Sequence, residues 1–170
     1  GLGDVYKRQP LYSVLERRRA VFGAVMAYER ALYFDTSVKP GQGPLPQLPP
    51  PSFFKPKFFN FLQDEYTACR ETVGIIDISS FSKIKIKSSN TEDVLSYLQK
   101  LCCNDVDIKP GTCIKTGMLN KNGGFENECI IVRQTLNNFF MVSPSSQQTR
   151  IYEWMSNNLT DPSVKLSDET

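Results

Sequence analysis

Thr112-Cys-Ile-Lys-Thr-Gly-Met-Leu-Asn-Lys-Asn-Gly-Gly-Phe-Glu-Asn-Glu-Cys-Ile-Ile-Val-Arg133 reads as a β-hairpin. Asn120, Lys121, Asn122, Gly123 and Gly124 concentrate residues that tolerate positive φ, and strand-forming runs flank them on both sides. Period-two alternation in the second arm puts Phe125, Asn127, Cys129 and Ile131 on one face and Glu126, Glu128, Ile130 and Val132 on the other. Glu128 therefore shares a face with two aliphatics. Either that face dips into a polar pocket at its turn end, or the carboxylate is solvated. Lys115 can reach Glu128 across the hairpin, an interaction worth only about 0.2–1 kcal/mol if exposed. A phosphate cradle at Gly123-Gly124 is disfavoured, because no Lys-Ser/Thr follows and the next element is a strand.

Working outward, Phe81 to Lys87 alternates lysine against isoleucine and predicts a strand with a solvated lysine face. Asn90 or Thr91 caps a helix whose buried stripe is Val94, Leu95, Leu98 and Leu101, with Glu92 and Asp93 in the positive first turn. Cys102 and Cys103 read as buried thiols at its end. After the hairpin come a strand at Phe139–Val142, a helix begun by Ser143-Pro144 with Ile151, Trp154, Met155 and Leu159 on its apolar side, and a short strand at Val164–Leu166. Strand, helix, strand, strand, helix, strand, with one additional strand in the middle, is the ferredoxin-like split βαβ order. The expected fold class is α+β: an antiparallel sheet with both helices on one face.

The rest of the chain is organised differently. Gly3 to Gln9 resembles the translation of a sequencing-library adaptor, so residues 1–9 are set aside from the fold. Apolar positions from Pro10 to Phe34 suggest a short helix and an apolar loop. Six prolines and two glycines between Lys39 and Pro51 predict an extended linker over residues 39–52. Beyond it, Phe58, Phe59, Leu62, Tyr66, Cys69 and Val73 recur at helical spacing, and Gly74–Ile78 reads as a strand.

Composition excludes several functions. A net charge of +2 gives nucleic-acid binding no electrostatic support. With no histidine and five cysteines in no metal-ligand spacing, no metal site and no disulfide framework are expected, and reduced thiols fit an intracellular compartment. No apolar run approaches membrane-spanning length.

Gly74-Ile-Ile-Asp-Ile-Ser-Ser-Phe81, Cys103-Asn-Asp-Val-Asp107, Thr116-Gly-Met-Leu-Asn120, Gly123-Gly124 and Val142-Ser-Pro-Ser-Ser-Gln-Gln-Thr-Arg150 together resemble the aminomethyltransferase-like folate-binding domain. That domain occurs in the glycine cleavage T-protein and behind the FAD module of dimethylglycine and sarcosine dehydrogenases. The resemblance covers residues 53–170 and implies a domain truncated at its C-terminal end. Gly23 to Phe34 resembles the segment joining the FAD module to the folate domain, so residues 10–38 are expected to be the end of that oxidoreductase segment. Within the family, the Cys-Asn-Asp, Thr-Gly-Met-Leu-Asn and Gly-Gly-aromatic-Glu-Asn series is most similar to the pyruvate dehydrogenase phosphatase regulatory subunit branch.

The resemblance implies tetrahydrofolate as a cofactor here and FAD in an N-terminal module outside this chain. It also implies the phosphatase catalytic subunit as a partner and the mitochondrial matrix as location. Its carboxylate position, usually aspartate, falls on Glu128, and its aromatic position, commonly tyrosine, falls on Lys115. Met118 and Phe81 align with apolar pocket positions, so the folate-binding candidates are Glu128, Lys115, Met118 and Phe81, with no catalytic residue assigned. An added methylene displaces a carboxylate by about an ångström, enough to slow a positioned reaction by on the order of 10²-fold. A lysine replaces a stacking surface with a flexible cation. Two function classes follow: a noncatalytic regulatory subunit, or the folate domain of an FAD-dependent amine dehydrogenase. No Gly-x-Gly-x-x-Gly follows a strand, so these residues alone cannot carry the oxidation.

Overall fold

The computed structural model describes residues 7–170; the segment set aside as adaptor-derived falls mostly on residues 1–6, outside the described residues. The chain divides into two compact units between Ser80 and Phe81.

In the first unit, helix α1 (Tyr12–Arg17) leads into strands β1 (Ala20–Val25) and β2 (Tyr28–Phe34), which pair antiparallel. A hairpin thus stands where the sequence suggests an apolar loop. Its turn is hidden in the sequence because Met26 and Ala27 adopt φ of 50° and 65° without the glycine or asparagine that usually marks such a turn. Helix α2 (Phe59–Glu71) forms as its periodicity predicts, and its Glu65 carboxylate accepts the Phe34 amide at 2.8 Å. Tyr33 stacks with both Phe58 and Phe61, with ring centroids 4.8 and 5.9 Å away. Gly74–Ile78 forms no strand, a second correction. β-branched residues need a partner ladder to become a strand, and among the described residues none pairs with this segment; Ile75 and Ile76 stay exposed.

The proline-rich segment is tied at one end. The buried Arg19 guanidinium donates to the carbonyls of Gln42 and Pro44 and pairs with Asp35 at 3.3 Å. Beyond Pro44, Leu48, Phe53 and Phe54 are exposed in irregular backbone. If residues 39–52 are a linker, limited chymotrypsin digestion should cut at Leu48, Phe53 or Phe54 while Asn120–Gly124 stays intact. Cleavage in the Asn120–Gly124 turn with this stretch resistant would argue against the linker.

The second unit contains strand β3 (Ser82–Lys87), helix α3 (Thr91–Leu101), strands β4 (Cys113–Leu119), β5 (Phe125–Arg133) and β6 (Asn138–Ser143), helix α4 (Gln148–Asn157) and strand β7 (Lys165–Asp168). The five strands form one antiparallel sheet in the order β4-β5-β6-β3-β7. β3, α3 and β5 make the split βαβ with β6 between the parallel strands, and β4 is the additional strand at the edge. The α+β expectation holds.

Local chemistry explains these elements. The Asn90 side chain accepts the Glu92 amide at 3.1 Å, capping α3 above its acidic first turn. At the hairpin turn, Asn120 Oδ1 accepts the amides of Asn122 and Gly124, while Gly123 takes φ 78°. β3 buries Ile84 and Ile86 and turns Lys83, Lys85 and Lys87 outward. Ile84, Ile86, Ile131, Phe139 and Met141 of the sheet meet Val94, Leu98 and Leu101 of α3 and Ile151 and Met155 of α4 in one core. Both helices therefore cover the same face.

Of the five cysteines, Cys102 and Cys129 are buried, and Cys69, Cys103 and Cys113 are exposed, so the expected burial of Cys103 is corrected. Burial, chiefly, pushes the Cys102 thiol up to about 12 and raises Cys129 as well. A native thiol titration at neutral pH should label three cysteines, with the remaining two reacting only after unfolding. Early labelling of Cys102 or Cys129 would contradict this packing.

Candidate functional site

The sheet separates the candidate residues by parity. On the outer face of the hairpin, Lys115 Nζ lies 2.6 Å from Glu128 Oε1, with the two side chains 71% and 60% exposed. They are diagonal neighbours, since Gly117 faces Glu128 and Lys115 faces Ile130. Of the two alternatives left open for Glu128, the structure takes the solvated one. Met118 points to the opposite face, fully buried beside Asn127, its register partner. Phe81 is half-buried one residue before β3, its carbonyl accepting from the Lys83 ammonium at 2.7 Å. Lys115 and Glu128 are thus brought together, and Met118 is kept from them by the thickness of the sheet.

The most enclosed carboxylate of the hairpin is Glu126, whose side chain is 13% exposed. Asn120 Nδ2 donates to it at 2.9 Å and Arg150 Nη2 at 2.6 Å. These two partners, Asn120 first, hold its carboxyl below the usual range. A group so stabilised as the anion is a poor proton acceptor. Because its folded-state pKa is depressed, its contribution is present above the ordinary carboxylate range and is lost as pH falls below about 4.3. Glu126→Gln should therefore flatten the acid side of a urea-midpoint profile; an unchanged profile would show the pairing to be inconsequential.

On the inner face, one end of the sheet carries buried polar atoms that nothing among the described residues satisfies. Asn127 is 1% exposed; its Oδ1 has no partner, and its Nδ2 approaches only Met141 Sδ at 3.9 Å. Ser82 and Ser143, register partners on β3 and β6, are both buried with unpartnered hydroxyls, and Gln147 Oε1, just past β6, is also unpartnered. Buried polar groups are normally paired, and each orphan costs about 1–3 kcal/mol. Three of these residues lie at one end of the inner sheet face and the fourth just past it, so this end is where the core carries its unpaired polar atoms. None of these side chains is charged. Among the described residues no three His, Cys, Asp or Glu side chains are placed to hold a metal ion.

Residues 11–170 match the family described as the GCVT N-terminal domain. The chain belongs to that family. The GCVT domain here is 38% identical, over 169 residues, to the "Pyruvate dehydrogenase phosphatase regulatory subunit, mitochondrial" of Mus musculus, covering 99% of this chain and 19% of that protein. It is 31% identical to the "4-methylaminobutanoate oxidase (formaldehyde-forming)" of Paenarthrobacter nicotinovorans, covering 87% of this chain and 17% of that protein. It spans about a fifth of the length of these relatives. The glycine cleavage system aminomethyltransferase T from Bartonella henselae superposes on 95% of this chain and 38% of its own with a TM-score of 0.73. At 17% identity that likeness establishes the shared fold.

The sequence-based candidates for the GCVT site did not include Asn127, Ser82 or Ser143. A signal was available: alternation placed an amide, Asn127, on the same face as Cys129 and Ile131, and a polar residue on an apolar face asks for a partner.

Proposed function

We propose that this GCVT domain is a noncatalytic folate-type module of a mitochondrial regulatory subunit like that of pyruvate dehydrogenase phosphatase. The observation that carries this reading is the neutrality of the inner-face site: Asn127, Ser82, Ser143 and Gln147 offer hydrogen bonds without a carboxylate, while Glu128 is solvated and held by Lys115. Asn127 Oδ1 and Gln147 Oε1 accept only, and the two serine hydroxyls donate or accept, which fits the mixed donor-acceptor edge of a pterin. Tetrahydrofolate bound there would supply a one-carbon acceptor. Asn127 would accept from its ring N–H groups and Met118 would pack on its apolar side. A buried base to move a proton during one-carbon transfer is missing from this set, which favours binding over turnover. The 38% identity to the mouse regulatory subunit supports the same class, with the phosphatase catalytic subunit as partner and the mitochondrial matrix as location. FAD is assigned to a module outside these residues, and no side chain of this chain is given to it.

The second reading, the folate domain of an FAD-dependent amine oxidase or dehydrogenase, is favoured by the likeness to the 4-methylaminobutanoate oxidase. Calorimetric titration of the full-length protein with tetrahydrofolate separates the two. The regulatory reading expects weak binding that Glu128→Gln leaves unchanged and Asn127→Ala weakens. The dehydrogenase reading expects micromolar binding that Glu128→Gln reduces ten- to a hundredfold, the value of charge-assisted hydrogen bonds of about 1.5–3 kcal/mol. That second outcome would overturn the regulatory reading.

A further inference from the structure

Strands β5 and β6 carry apolar residues on both of their faces. Inward go Ile131, Phe139 and Met141, fully buried in the core with α3 and α4. Outward go Ile130 and Val132 of β5 and Phe140 and Val142 of β6, and the register sets Ile130 beside Val142 and Val132 beside Phe140. Apolar runs as continuous as Ile130-Ile-Val132 and Phe139-Phe-Met-Val142 belong to strands covered on both sides, whereas a strand with one wet face alternates, as β3 does. Both helices lie on the inner face, so neither covers the outward patch, and Ile130 is 42% exposed. The border of this patch is charged. One row across the sheet reads Lys115, Ile130, Val142, Lys83, and the next continues from Val132 and Phe140 to Lys85. Glu128 is already held by Lys115 at 2.6 Å, while the outward positions of β3 and β7 are lysines and one serine, Ser167. An apolar centre with a polar border is the anatomy of a protein interface, and this border calls for carboxylates opposite β3. A second copy would set one net-positive face on another. A lipid surface fits no better: Val132, Phe140 and Val142 lie half-buried between their neighbours, whereas a membrane-bound element sinks its apolar face about 5–10 Å.

We propose that this outer face docks an acidic protein surface, apolar at its centre with carboxylates along its β3 side, and that the phosphatase catalytic subunit supplies it. The identity of the partner rests on the regulatory reading; the apolar, lysine-bordered face stands without it. Burial of Ile130, Val132, Phe140 and Val142 drives the association, and the lysines fix the register and speed the encounter. Asn127 lies on the inner face, so partner and folate use opposite sides of one sheet.

The test is biolayer interferometry of the full-length protein against the purified phosphatase catalytic subunit at two salt concentrations. Ile130→Thr and Phe140→Ala should each weaken binding about tenfold, and Lys85→Glu about fivefold with loss of most of the salt dependence. Lys100→Glu, at an exposed position on α3, should leave binding within about twofold. Melting points establish that the variants fold, and Lys85→Glu, which removes no apolar packing, keeps the test decisive should Phe140→Ala unfold. A wild-type protein that does not bind the catalytic subunit would remove the regulatory reading and the proposal with it. Wild-type binding that Ile130→Thr and Lys85→Glu both retain would overturn the docking face alone. Variants that lower the melting point of the full-length protein without changing partner affinity would assign the cover to the same chain. A dimer that Ile130→Thr dissolves would assign it to a second copy, and cosedimentation with phosphatidylserine vesicles that Lys85→Glu abolishes would assign it to a membrane. Each of these three results overturns the proposal.

Discussion

Arg133→Ala is expected to lower the unfolding free energy by about 2–3 kcal/mol, the range for losing hydrogen bonds from a charged donor together with the packing of its stem. Arg133 ends β5 with its side chain 6% exposed, yet it finds a partner for each part of its guanidinium. Nη1 donates to Asp107 Oδ1 at 2.6 Å and to the Ile108 carbonyl at 2.7 Å, Nη2 donates to the Leu136 carbonyl at 3.0 Å, and the planar group lies 5.3 Å from the Phe139 ring centroid. One side chain thereby joins the loop after α3 to the turn between β5 and β6. Its removal strands two carbonyls and opens space beside the core. Asp107 is left with water, being 60% exposed, so the loss comes from the carbonyls and the packing rather than from an orphaned carboxylate. Urea unfolding with an unchanged slope and a midpoint shift of this size is the expected result. A loss below about 1 kcal/mol would mean the network is dispensable.

Asn127→Asp is the second large effect, and it carries a pH signature. The substitution is nearly isosteric, but at a position 1% exposed, beside Met118 and Met141 and with no cation in hydrogen-bonding contact, an ionised carboxylate is poorly solvated. Its folded-state pKa should rise above the unfolded value near 3.9, so the cost is absent at low pH and grows as pH increases through that value. At neutral pH a loss of about 2–4 kcal/mol is expected, disappearing near pH 3. A variant destabilised equally at both pH values would show that the position is hydrated rather than enclosed. Tetrahydrofolate that raises the melting point of wild type but not of this variant would identify Asn127 as a folate contact.

Much of this chain was legible because its local and long-range demands agree. The Asn-Lys-Asn-Gly-Gly turn, the lysine-isoleucine alternation of β3 and the capped stripe of α3 each have one low-energy arrangement, and the order of these elements dictates the split βαβ sheet. The pairing of Lys115 with Glu128 followed from the hairpin alone. Tertiary structure decided what depended on a partner distant in sequence. Gly74–Ile78 has strand-like residues and no ladder to join, whereas β1 and β2 pair through a turn whose residues adopt positive φ without glycine. The site divides the same way. Alternation assigned Glu128 and Asn127 to opposite faces, but only the placement of α3 and α4 over one face decides that Glu128 stays wet. The same packing buries Asn127 without a partner, because desolvation belongs to the assembled core and not to any residue within it.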